Sequence, residues 1–170
     1  MRIGKWFGRA IALLWAVLLL GSCGGREAMR WQSAESYFDR PVLEEIIEDN
    51  STVPISRLEG RVRVSEMVSN PRLVWVDFNT EGMCGRLGCA YVVYGESEEG
   101  WKRLWMQYLD PHLPPDVPLV SRSSTKPVWA SFCLDINQLE GETALRRMQV
   151  CWDGKEMRKV EQKRIRLDDF

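Results

Sequence analysis

The spacing of apolar residues changes twice along this chain, and each change marks a different kind of segment. Ala10 to Leu20 is an unbroken apolar run of 11 residues behind a basic start. Further on, Val42, Leu43, Ile46 and Ile47 fall on one side of a helical wheel, with Glu44, Glu45, Glu48 and Asp49 on the other. Ser33 and Asp39 are candidate N-caps and Pro41 suits a first turn, so the spacing predicts one amphipathic helix laid on a sheet. From Pro54 onward the period shortens to two. Arg61 to Val64 alternates, Leu73 to Phe78 reads as a short buried strand, and Ala90 to Tyr94 is rich in β-branched and aromatic residues. Glu96 to Gly100 predicts a hairpin loop leading into Trp101 to Leu109. Asp110 to Pro118 holds four prolines and predicts an irregular surface loop. Asp153-Gly154 signals a two-residue hairpin before a last strand from about Glu156 to Leu167.

The most specific long-range signal comes from Val128 to Ile136 and Ala144 to Trp152, read as two antiparallel arms turning near Glu140-Gly141-Glu142-Thr143. Pairing positions whose numbers sum to 284 sets Phe132 opposite Trp152, Leu134 opposite Val150 and Ile136 opposite Met148, an apolar face throughout. The other face then pairs Asp135 with Gln149, Asn137 with Arg147, and Cys133 with Cys151. A slip of one residue would turn the apolar sets outward, so the pattern itself specifies the register. Directly opposed residues have Cα atoms ~4.5–5.5 Å apart, within disulfide range, and a Cys133–Cys151 bond is predicted. Cys84 and Cys89 form the other pair, with Gly85 and Gly88 between them giving the freedom a tight ring needs. A redox pair normally has two intervening residues, and a zinc site would have to rely on His112, the one histidine. The expectation is a mainly β (α+β) domain over residues 33–170: one N-terminal helix on an antiparallel sheet or small barrel of about seven strands, with two disulfides.

The first apolar run belongs to something else. Residues 1–9 are basic, and 11 apolar residues are too few for a membrane span, which needs ~20, but suit a signal-peptide core of ~7–15. Leu20-Gly21-Ser22-Cys23 places an aliphatic residue, two small residues and a cysteine directly after that core, and so resembles the lipobox of bacterial lipoproteins. The resemblance implies that residues 1–22 are a signal peptide and that Cys23 receives a diacylglycerol. Residues 23–32 then tether the domain to a membrane, facing the periplasm or exterior of a bacterial envelope. A plain secretory signal cleaved at Gly21 or Ser22, or an uncleaved anchor, would leave Cys23 without a role. The four remaining cysteines are an even set, as disulfides in an oxidising compartment require.

Composition narrows the chemistry. With 45% hydrophobic and 28% charged residues the 170-residue chain has the makings of a core. Removing residues 1–22 takes away three cations, Arg2, Lys5 and Arg9, and the formal charge falls from −1 to −4, a poor match for nucleic acid. Asp77-Phe78-Asn79-Thr80-Glu81-Gly82 partly matches a calcium loop. Gly88 stands where such a loop supplies its twelfth-position glutamate, so the segment reads as a polar turn. That turn, the following Cys84-Gly85-Arg86-Leu87-Gly88-Cys89 and the later Trp152-Asp153-Gly154 together resemble a pattern in small bacterial envelope lipoproteins, which brings no activity with it. The sequence has no nucleophile elbow, phosphate loop, dinucleotide fingerprint or zinc-protease motif. No catalytic residue, metal site or cofactor is expected. Trp75 and Trp152 fall on apolar faces, whereas Trp101, Trp105 and Trp129, if exposed together, would make a platform for a sugar ring or a protein. The expected role is non-catalytic binding of an envelope protein or polymer. A saccharide-binding module using the three tryptophans and a hydrolase using His112 are the rivals.

Overall fold

The strand predicted over Leu73 to Phe78 lacks polar alternation because both of its faces are covered. In the computed structural model, which describes residues 29–80 and 82–169, this strand is β3 (Arg72–Phe78), and every residue after Arg72 is buried. Val74, Val76 and Phe78 share one core with Leu43, Ile46 and Ile47 of helix α1 (Arg40–Glu48). Leu73 and Trp75 point the other way, into a second core with Phe132, Leu134, Ile136, Val150 and Trp152. A second short helix, α2 (Ile55–Leu58), buries Leu58 in the first core.

Two antiparallel sheets build these cores, in place of the single sheet or small barrel of about seven strands that periodicity predicts. The first contains β1 (Gln32–Ser33), β2 (Arg63–Ser69), β3, β5 (Gly88–Ser97) and β6 (Gly100–Leu109) in that spatial order. In the same sheet β4 (Cys84–Gly85) pairs the start of β5 beyond the end of β3. The second runs β10-β9-β8-β7, with β7 Val120–Arg122, β8 Phe132–Leu139, β9 Ala144–Trp152 and β10 Met157–Arg166. That makes ten strands among the described residues. The additional strands, β1, β4 and β7, are two or three residues long, too short to show a period.

The β8–β9 register is the one the apolar pattern specifies: Phe132 faces Trp152, Leu134 faces Val150, Ile136 faces Met148 and Cys133 faces Cys151. Both disulfides, Cys133–Cys151 and Cys84–Cys89, are present. Two boundaries differ. The first arm begins at Phe132, leaving Val128 and Trp129 exposed ahead of it. The last hairpin has a four-residue loop, because Met157 rather than Lys155 pairs with Trp152; the Asp153 carboxylate caps it by accepting the N–H groups of Lys155 and Glu156. The predicted signal peptide 1–22, Cys23 and residues 24–28 lie outside the described residues. Residues 29–32, read as the end of a tether, are already docked. Met29 and Trp31 pack against the inter-sheet core and Gln32 pairs with Val64.

Candidate functional site

The end of the first sheet that carries Cys84–Cys89 is built by a chain that turns back on itself. At the end of β3, Asp77 Oδ1 accepts the N–H of Asn79 at 2.7 Å, and Thr80 N–H donates to the Phe78 carbonyl at 2.7 Å. Cys84 then pairs with Cys89 and Gly85 with Gly88, so Arg86 and Leu87 form a two-residue tip inside a covalent ring. Only one glycine of the ring is conformationally required. Gly88 has φ +103°, and a Cβ there would stand 2.3 Å from the Leu109 carbonyl oxygen, whereas a Cβ at Gly85 would meet nothing. The ring is thus held against the end of β6 on one side. Asn79 Oδ1 supports it on the other, 3.1 Å from Cys89 Sγ and 3.5 Å from Cys84 Sγ. These are contacts rather than hydrogen bonds, since disulfide sulfurs carry no proton.

At the tip Leu87 is 76% exposed. Arg86 beside it is exposed and, among the described residues, has no hydrogen-bond or ion-pair partner. Beneath the tip lies a groove of about 450 Å³ whose far wall includes His112, Gln138, Leu139 and Arg146. His112 is exposed. Its backbone N–H and its Nδ1 both lie 2.9 Å from Asp110 Oδ1, and the Asp110 carboxyl is held below its usual range mainly by that backbone N–H. The groove lining contains no serine and no free thiol.

Asp77 sits deeper. It is 9% exposed, and desolvation raises its pKa against the hydrogen bonds from Asn79 N–H and the Tyr91 hydroxyl. The Tyr91 phenol is pushed up as well, first by burial and then by the Asp77 charge. This carboxylate is thus turned into the sheet and engaged by its own turn, a poor start for a cation loop. Among the described residues no group of three His, Cys, Asp or Glu could hold a metal.

The three tryptophans that would make a platform if exposed together are not brought together. Trp101 belongs to the helix-side core, edge-on to Phe38 with ring centroids 5.0 Å apart. Trp105 belongs to the inter-sheet core, 5.3 Å from Trp75. A β-bulge separates them: Val93 pairs with Trp105 but Tyr94 with Arg103, so the extra residue Leu104 reverses the parity of the strand. Trp129 is 49% exposed in the segment leading to β8. The feature that sequence reasoning passed over is the Arg86-Leu87 tip. Its signal was legible, because an Arg-Leu pair flanked by glycines inside a six-residue ring has no way to reach a core. No protein-family model, curated protein or solved structure matches this chain.

Proposed function

We propose that the chain is a lipid-anchored protein of the bacterial cell envelope that binds another envelope protein, without catalysis, through the stapled Arg86-Leu87 tip. The lipobox at Leu20 to Cys23 supports the anchor, and two disulfides agree with an oxidising compartment. The observation that carries the binding reading is Leu87, kept in water by a covalent ring. Burying a leucine side chain is worth roughly 1.5–3 kcal/mol, and here a partner can recover that energy where the fold cannot. Because the ring is already closed, little ordering entropy is lost on binding. Tethering raises the local concentration of the tip, so modest affinity suffices.

The test has two parts. Intact mass of the protein extracted from its native membrane should show cleavage before Cys23 and acyl chains on it; an unmodified Cys23 removes the anchor. A photocrosslinking residue in place of Leu87 should trap one dominant envelope protein. For that protein, purified, Leu87→Asp should weaken binding about tenfold or more at unchanged thermal stability. Equal affinity of the variant and the parent removes the tip from the interface.

A further inference from the structure

A second cleft, sharing no residue with the groove under the stapled ring, opens between the end of α1 and the start of β6. Its volume is about 330 Å³, at the small end of the roughly 300–1,000 Å³ of ligand pockets, so it suits one ring rather than an extended chain. The floor is Tyr94, 2% exposed, whose hydroxyl donates to Asp49 Oδ2 at 2.9 Å and accepts from Asn50 Nδ2 at 2.5 Å. Arg103 Nη1 locks the same corner by donating to the Asp49 carbonyl at 3.0 Å and to Asn50 Oδ1 at 3.2 Å. One wall is Trp101, set by its edge-on contact with Phe38. At the rim stand Glu45 and Lys102, both exposed and, among the described residues, without a partner.

The charges of this cleft cancel, with two carboxylates, Glu45 and Asp49, against two cations, Lys102 and Arg103. A carboxylate only accepts hydrogen bonds and an ammonium only donates them. A ligand that satisfies both kinds without carrying charge must itself donate and accept around its edge, and to use Trp101 it must present an apolar surface. A pyranose has a rim of hydroxyls and a face of C–H groups. We propose that this cleft binds one ring of a neutral saccharide, its C–H face on the Trp101 indole and its hydroxyls shared between Glu45, Asp49 and Lys102. A uronic acid or an amino sugar would leave one sign of charge unmatched.

Calorimetric titration of the full chain, in a detergent without a sugar headgroup, tests this with N-acetylglucosamine and its β-1,4-linked tetramer as probes. The expected result is saturable binding with Kd of about 1 mM or tighter, and binding about tenfold weaker for glucuronate and glucosamine. Trp101→Ala should weaken binding about tenfold. Because Trp101 also packs on Phe38, the exposed double variant Glu45→Gln, Lys102→Ala carries the same test in an intact fold, with a loss of about tenfold. Trp129→Ala, outside the cleft, should bind like the parent. The absence of saturable binding of either neutral probe up to about 20 mM would overturn the assignment. So would equal affinity for the charged sugars, or a rim variant that binds as the parent does.

Discussion

The two disulfides use the same chemistry for opposite ends. Cys133–Cys151 joins residues 18 apart, both essentially buried and packed with Ala130 on the outer face of the second sheet. Cys84–Cys89 joins residues 5 apart and closes a ring whose tip is in water. The first is a cross-strand pair that the hairpin would hold near contact in any case, and its covalent bond limits the unfolded chain. The second closes a shorter loop of the unfolded chain and, in the folded one, also fixes an exposed leucine where unconstrained chain would let it collapse. Where a crosslink sits, rather than that it exists, decides whether it serves stability or presentation.

Removing each bond is the strongest way to test that contrast. By loop-closure entropy, Cys133→Ala with Cys151→Ala should cost about 3 kcal/mol, and Cys84→Ala with Cys89→Ala about 2 kcal/mol. Urea denaturation measures both, and a smaller cost at Cys133–Cys151 would reverse the assignment of roles. A finer test lies inside the ring. Gly88→Ala should lose roughly 1–3 kcal/mol, because a Cβ meets the Leu109 backbone at a positive φ. Gly85→Ala should stay within about 0.5 kcal/mol. Equal effects at the two glycines would mean that the ring is not seated on β6. The smallest effect concerns Asp77 beneath the ring. Burial raises its pKa, so the folded protein binds that proton more tightly than the unfolded chain does. Its contribution is therefore fully present below the ordinary aspartate value and is lost as pH rises through the higher folded value. Asp77→Asn should accordingly gain in stability over the parent between pH 4 and pH 7. Melting temperatures that differ by the same amount at both pH values would show that the carboxyl is not desolvated.

Legibility in the sequence followed the length and regularity of each element. The β8–β9 register could be read because six pairs, three on an apolar face and three on the other, leave one solution, and the structure continues it through Gln138 and Leu139. α1 was equally plain from its stripe and from Pro41 in its first turn. Trp101 and Trp105 part for a physical reason: a period-2 reading puts them on one face, and a single bulged residue, Leu104, puts them on two. The cleft at Tyr94 could not be read at all. Asp49, Asn50 and Tyr94 are joined across 44 or 45 positions of sequence, and nothing local in the chain announces that meeting.

β3 is the common wall of both cores, with Val74, Val76 and Phe78 in one and Leu73 and Trp75 in the other. Neither layer can melt alone without stripping the same strand of half its packing, so heat should remove both in one calorimetric transition. The amides of β3 and of its partner β5 should then be among the last to exchange with solvent. A domain built this way cannot loosen its helical side to admit a ligand while keeping its second sheet intact. Whatever it recognises has to be met by surfaces that are already formed.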